Sequence, residues 1–336
     1  MGNSCIDLSL ANIWQSWFKF KKEKKRTKEL DYFGYYLEQN LVNLHFDLNF
    51  GRYKHGGYKK FFVTDNKRRQ ISVASVRDRV VHRLLYEYLN KIYDKTFVYD
   101  AWSCRKNKGL LGAIERTQKF LNKYANSFAW RADIKKFFDN VDQQILLEIL
   151  SLRIKDNETM NILRKVIASY SAPIRERERE RERESKGTAP KGMPIGNLTS
   201  QIFANIYLNE LDRLVKHIIK PQAYLRYGDD FIIISENLNQ LKQNRTKASQ
   251  FIKQKLGLAI NSKNDIIVKA RQGLKFLGVW IFPKGRRLNK RSWSRARTLL
   301  NNRNIPSYGG LVKQHSKEKM IKEHNWIILE KLNNES

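Results

Sequence analysis

Asp229 and Asp230 stand side by side in the run RYGDDFIIIS (226–235), directly after Gly228. Tyr224, Leu225 and Tyr227 before the glycine, and Phe231 to Ile234 after the acids, favour extended backbone. The segment therefore reads as a β-hairpin with acid at its tip. Two neighbouring carboxylates repel, and the cost is relieved by full solvation or by a cation that neutralises both. An isolated surface turn rich in Asp would look the same, so a second acidic position has to decide. Asp133 supplies it: it ends a short extended stretch in WRADIKKFFDNVD (130–142) and is followed by Phe137, Phe138 and Asp139. Carboxylates are hard oxygen ligands suited to Mg²⁺ or Mn²⁺. If the three converge, they can hold two ions about 3.5–4 Å apart and stabilise both oxygens of an in-line displacement at phosphorus. Nucleotidyl transfer is the chemistry this implies.

The elements that must position these acids lie in a chain of 336 residues, longer than one ordinary core and enough for two or three subdomains. Hydrophobic residues make up 41% and aromatic residues 12%, which excludes global disorder. Lys and Arg number 65 against 33 Asp and Glu, a net charge of +32 that calls for a polyanionic partner, most simply nucleic acid. No apolar run approaches about 18 residues, so no membrane span is expected. The start MGNSCI has Ile6 where myristoylation wants Ser or Thr, and no signal sequence is evident. With Cys5 and Cys104 standing alone, a reducing, cytoplasmic setting is expected.

Along the chain, Trp14, Trp17, Phe18 and Phe20 adjoin a run with seven basic residues and one acidic one between Lys19 and Lys28. This N-terminal arm suits RNA or a partner protein, and equally a solvated face. Leu37, Leu41, Leu44 and Leu48 repeat at helical spacing. The pattern changes from extended to helical near Ser75, where SVRD fits a capping box with Asp78 in place of Glu. Lys67 and Arg69 alternate on the extended part and could grip a phosphate or form an exposed basic face. Residues 175–184 are five Arg-Glu pairs without a core face, expected to be a solvated insertion or helix end. Residues 198–215 are helical, with Asn197, Ser200, Gln201, Asn205 and Asn209 off the apolar stripe and suited to meeting a base or sugar. The tail beyond Lys284 is basic.

Taken together these segments resemble the reverse transcriptases. ADIKKFFD resembles the first catalytic motif of their palm, YGDD their Tyr-x-Asp-Asp motif, GMPIGNLTSQ the motif under the template and incoming nucleotide, and KFLGVW the primer grip. NKRRQISVASVRDRVVH is similar to their fingers motifs, and the order from about 50 to 285 is the family's. The resemblance implies an α+β right-hand polymerase with fingers, a palm built on an antiparallel sheet with helices on one face, and a small helical thumb. It implies a basic arm at 1–29, fingers at 30–125, palm at 126–142 and 191–285, an insertion bearing the Arg-Glu run at 143–190, and a thumb at 286–336. Asp133, Ile134, Asp229 and Asp230 become the metal set, for two Mg²⁺ ions or Mn²⁺. Phe138 becomes the gate against a ribose 2′-hydroxyl, Lys67, Arg69 and Gln201 bind the dNTP, Ile195 and Gly196 bind the template, and Lys263 in INSKND is a proton donor to the pyrophosphate.

IGNLTSQ (195–201) narrows the resemblance. Most reverse transcriptases carry Gln-Gly and Ser-Pro there, whereas those of diversity-generating retroelements carry an aliphatic residue, Gly and Ser-Gln. Such enzymes copy a template RNA into cDNA with errors at adenines and work with a small basic accessory protein. Reverse transcriptases of antiviral defence or retron-like systems share parts of the pattern, and GDD also recurs in viral RNA-dependent RNA polymerases. A non-enzymatic nucleic-acid binder would account for the charge but not for all three carboxylates.

Overall fold

The structure, a computed structural model, describes residues 5–22, 24–64, 68–172 and 190–335. Lys67 and the Arg-Glu run at 175–184 lie outside the described residues. The chain divides into two compact units: Met1–Val98, Ile134–Arg213 and Ser249–Ala259 form the first, and Tyr99–Asp133, Leu214–Ala248 and Ile260–Ser336 the second.

The first unit is mostly helical. Its helix Val76–Tyr93 starts where the capping pattern predicts, with Ser75 Oγ accepting from the Asp78 amide at 3.2 Å. The Asp78 carboxylate takes more than a capping box asks of it: the Ser75 hydroxyl donates at 2.6 Å, the Tyr53 phenol at 2.8 Å and the Gly56 amide at 3.0 Å. Val80, Val81, Leu84, Leu85 and Leu89 are buried on this helix, which packs against Leu10–Lys21 and Leu198–Arg213. Strands β1 (Tyr58–Thr64) and β2 (Arg68–Ala74) pair antiparallel from Tyr58↔Ala74 to Thr64↔Arg68.

The loop before Leu198 is tied to β2. The Ser72 amide donates to the Ile195 carbonyl at 2.9 Å, and the Asn197 side chain bridges Ser72 O at 2.7 Å and the Ala74 amide at 3.2 Å. Gly196, at φ +112, approaches so closely that a Cβ would lie 2.7 Å from Ile71 Cγ2. Only glycine meets both demands. The helix itself corrects a sequence expectation: Asn197, Ser200, Asn205 and Asn209 are buried, and of the five polar positions only Gln201 is exposed. Buried on most of its circumference, the helix uses small and amide side chains inside the protein rather than toward a ligand.

The second unit carries β3 (Phe128–Asp133), β4 (Ala223–Tyr227), β5 (Asp230–Ser235) and β6 (Ile266–Lys269) in one antiparallel sheet, ordered β4-β5-β3-β6. The apolar run of β5 is central and buried on both faces. Ile232 and Ile234 join Ala129, Leu225 and the helix Leu110–Lys123 in one core, whereas Phe231 meets Trp130 edge to face at 5.2 Å. Strands β7 (Leu274–Phe276), β8 (Val279–Phe282) and β9 (Gly285–Leu288) form a second antiparallel sheet on that core. The basic tail folds as helices Lys290–Thr298, Ile305–His315 and Glu318–Glu335, around Leu288, Ala296 and Val312. Among the described residues no helix is long and apolar enough to cross a membrane, and Cys5 and Cys104 are free and exposed.

Replacing Asn197 with Ala leaves Ser72 O and the Ala74 amide without partners, an expected cost of about 1–3 kcal/mol. Urea unfolding should show a lowered midpoint; an unchanged midpoint would mean this bridge does not hold the loop on β2.

Candidate active site

The hairpin tip is built first. Tyr227 and Asp230 are the last pair between β4 and β5, so Gly228 and Asp229 form a two-residue loop. Gly228 takes φ +63 while Asp229 stays at negative φ, the sign pattern of a type II′ hairpin turn. Arg226 is 0% exposed, and its Nη1 donates to the Gly228 carbonyl at 3.0 Å, bracing the turn from beneath. The Arg226 main chain is held as well: its amide donates to Asp100 O and its carbonyl accepts from the Trp102 amide, each at 2.9 Å. Asp100, also buried, receives Arg116 Nε at 2.9 Å and Nη2 at 3.2 Å. Burial, with a smaller contribution from Cys104, raises the Tyr227 phenol above its usual pKa and keeps it protonated.

Asp133 is brought to the same end of the sheet by strand register, because it pairs with Asp230 across β3 and β5. Paired residues of adjacent antiparallel strands present their side chains on one face. Asp133 Oδ2 accepts from Asn264 Nδ2 at 3.0 Å and from Asn261 Nδ2 at 3.3 Å, and the Asn261 amide donates to Asp133 O at 2.9 Å. The turn carrying these amides is anchored by Asp265, which accepts from Trp130 Nε1 at 2.7 Å and from Arg245 Nε at 2.9 Å. Asp133 Oδ1 is buried without a hydrogen-bond partner. A buried carboxylate oxygen left open is the donor a hard divalent cation requires. Asp230 Oδ1 lies 3.4 Å from Arg131 Nη2, an ion pair that partly neutralises it.

Among the described residues the three acids do not close into one group of metal ligands. Two amides hold Asp133, and Asp230 is drawn to Arg131, so the donors are gathered at one end of the sheet without being drawn onto a common point. Asp133 and Asp229 fit a divalent cation by the chemistry of their oxygens, and Asp133 also by its open Oδ1.

Lys263 belongs to the same unit and is exposed on the turn Ser262–Asn264, its amide donating to Asn261 Oδ1 at 3.2 Å. The remaining expected site residues fall in the first unit. Ile134 is buried, and Phe138, half-buried on the short helix Phe137–Asn140, receives the Met193 amide on its carbonyl at 2.7 Å. Arg69 is exposed on β2 opposite Val63. Ile195 and Gly196 lie in the loop bound to β2, and Gln201 is exposed in the first turns of the helix that follows. Sequence reasoning missed Arg226, Arg131, Asn261 and Asn264. The two asparagines leave a signal, their spacing of three within INSKND around a turn, whereas nothing in RYGDD marks Arg226 as a buried brace.

The reverse transcriptase (RNA-dependent DNA polymerase) family profile matches residues 54–281, more than half of the chain, and the chain belongs to that family. An intron 2 protein of COX1/OXI3 from Saccharomyces cerevisiae is 23% identical over 296 residues, which cover 71% of this chain and 33% of the yeast protein. The group II intron-encoded protein LtrA of Lactococcus lactis subsp. cremoris is 24% identical over 183 residues, 53% of this chain and 28% of LtrA. The chain thus spans about a third or less of the length of these relatives. Telomerase from Candida albicans superimposes with a TM-score of 0.52 at 12% identity, over 85% of this chain and 57% of that one. Telomerase from Candida tropicalis gives a TM-score of 0.50 at 14% identity, over 82% and 57%. These likenesses show the fold, the α+β right-hand polymerase fold expected from the motifs.

Arg226→Met should destabilise the protein by about 3 kcal/mol, because it removes a buried guanidinium and leaves the Gly228 carbonyl without its donor. Denaturant unfolding measures this, and a stability within about 0.5 kcal/mol of the parent would show that the hairpin tip is held by other contacts.

Proposed function

We propose that the protein is an RNA-directed DNA polymerase that adds deoxynucleotides from dNTPs to a primer 3′ end on a template RNA, releasing pyrophosphate and making cDNA. The observation that carries this reading is Asp133, with its open buried Oδ1, set opposite Asp230 and at the sheet end that bears Asp229, in a chain of the reverse transcriptase family. Asp133 and Asp229 are the principal ligands for two Mg²⁺ ions, or Mn²⁺, with Asp230 and Ile134 completing the set. When bound, the ions supply charge stabilisation for the attacking and leaving oxygens.

The chain's own residues do the rest. Asn261 and Asn264 keep one oxygen of Asp133 engaged so that the other is presented. Lys67 and Arg69 take the triphosphate, and Gln201 contacts the nucleotide. Ile195 and Gly196 support the templating base. Phe138 excludes a 2′-hydroxyl from the sugar site by steric bulk, and Lys263 gives a proton to the departing pyrophosphate. In this reading residues 30–125 are fingers, 126–142 and 191–285 the palm, 143–190 an insertion, 286–336 a thumb and 1–29 a basic arm.

IGNLTSQ supports a narrower role, the error-prone enzyme of a diversity-generating retroelement working with a small basic accessory protein. The altered pair Ile195 and Gln201 replaces the side chains that would otherwise constrain the templating base.

Primer extension on a defined RNA with Mg²⁺ tests the chemistry. Asp133→Ala and Asp229→Ala should each lower nucleotide addition about 10²-fold or more with the fold intact by circular dichroism, and near-parent activity in either would sink the metal assignment. Phe138→Ala should raise ribonucleotide use relative to deoxynucleotide use by about tenfold. An unchanged ratio removes the gate. Sequencing the cDNA tests the narrower role: errors concentrated opposite template adenine support it, and accurate copying directs the enzyme to defence or retron-like synthesis.

A further inference from the structure

The helix Leu37–Asn49 of the first unit packs Leu41, Leu44 and Leu48 inward, against Leu10–Lys21 and Lys28–Tyr35, as their spacing predicts. Its outer side holds a second stripe. Tyr36, Gln39, Asn43, Phe46 and Phe50 are all exposed, and their alternating steps of three and four residues keep them on one side of the helix. Tyr32, four residues earlier on the preceding helix, extends the stripe, its ring edge to face with Tyr36 at 5.3 Å. At the far end Phe46 and Phe50 stack at 6.0 Å, and Tyr35 flanks Tyr36 at 4.8 Å. Tyr32 is 70% exposed, Tyr35 81%, Tyr36 44%, Phe46 50% and Phe50 64%. A continuous aromatic surface of this kind marks a contact with another molecule.

Charge narrows what that molecule is. Between Glu29 and Gly51 the chain has no Lys or Arg, although it carries 65 in all. Of the four acids there, Asp31 meets Arg26 at 3.2 Å, Glu29 meets Lys59 at 3.0 Å and Asp47 meets Arg77 at 2.6 Å. The stripe itself is uncharged. A nucleic acid strand stacks its bases on rings but also needs cations along its backbone, and this helix supplies none. For a chain of net charge +32, an uncharged face is where a second copy approaches at the least electrostatic cost. An aromatic side chain offers about 150–250 Å², so five rings at these exposures present on the order of 600 Å² per copy and about 1,200 Å² across a pair, the lower bound of a specific interface.

By chemical type the stripe runs ring, ring, amide, amide, ring, ring, the same in both directions. A two-fold axis lays a surface on its own copy, so it needs such a self-complementary order. We propose that the stripe is the contact between two copies of this chain, with the two helices antiparallel and Leu41 level with the axis. Tyr32 of one copy then meets Phe50 of the other, Tyr36 meets Phe46, and Gln39 meets Asn43. Rings pack on rings, and each carboxamide both donates to and accepts from the one it faces. The antiparallel sense also sets the N-terminus of each helix beside the C-terminus of the other. This contact goes beyond the polymerase reading and stands or falls independently of it.

Sedimentation equilibrium of the full chain, freed of nucleic acid by nuclease, should show monomer and dimer with a Kd on the order of 1–10 μM, as a small interface gives. A protein that stays monomeric to about 100 μM overturns the proposal. Because each copy is strongly cationic, dimerisation should tighten severalfold as salt rises from about 0.1 to 0.5 M. Loosening with salt would assign the association to a polyanion bridging the copies, against the proposal. Tyr36→Glu and Phe46→Lys, both at exposed positions and with circular dichroism expected unchanged, should each weaken dimerisation about tenfold or more. Dimers that survive both changes place the interface elsewhere. Mixing the two variants should recover dimers, because the two new charges face each other only across an antiparallel axis; no recovery overturns the pairing. Tyr36→Glu that weakens binding of a short single-stranded RNA while leaving sedimentation unchanged would make the stripe a base-stacking surface instead. Primer extension by the same proteins, scored separately, shows whether the polymerase reading stands when this one fails.

Discussion

The register between β3 and β5 is the constraint on which the candidate site depends. Asp133 pairs with Asp230, and Asp229 follows from that pairing because it occupies the loop that β4 and β5 must close. Side chains alternate across a sheet, so a slip of one residue would send Asp133 to the opposite face and disperse the acids. The slip is prevented by what lies further along the same strands. Ala129 and Ile234 in one core, and Trp130 against Phe231 on the other face, fit only this pairing. Hydrophobic packing several residues away thus sets the position of groups that are themselves polar.

Holding acids at the end of a sheet in a chain of net charge +32 requires selective neutralisation. Asp230 has Arg131, Asp265 has Arg245 and Asp100 has Arg116, each a carboxylate matched to a guanidinium. Asp133 differs, being held through neutral amides that orient the group without cancelling its charge. That difference is the electrostatic reason for assigning it the metal. An arginine in place of the asparagines would satisfy Oδ2 equally well and weaken the attraction for a cation.

The first unit shows the same economy in the use of neutral polar groups. The Asn197 bridge fastens a loop to β2, the Asp78 carboxylate gathers three donors around the start of one helix, and facing imidazoles fill a buried corner. The Asn197 bridge and the Asp78 cluster are buried polar groups satisfied by specific partners, and each restricts the backbone to one arrangement. One nitrogen of the imidazole pair, His82 Nδ1, is left buried without a partner.

The hairpin with acid at its tip, Asp133 at the end of a strand and the start of the helix after Ser75 were all legible in the sequence, because each rests on contacts within a few residues: alternation, capping and turn chemistry. The family motifs were legible for the same reason, since each lies within a short run. Burial was not. Asn205 and Asn209 read as surface amides because periodicity shows which side of a helix is apolar and not how many sides are covered. The roles of Arg226, Asn261 and Asn264 were hidden because their partners come from strand pairing and loop closure rather than from neighbours in the chain. Residue types and local spacing determined the acids and the strands that carry them. Tertiary structure alone decided which acid is left with an open oxygen, because that depends on donors brought in from more than a hundred residues away.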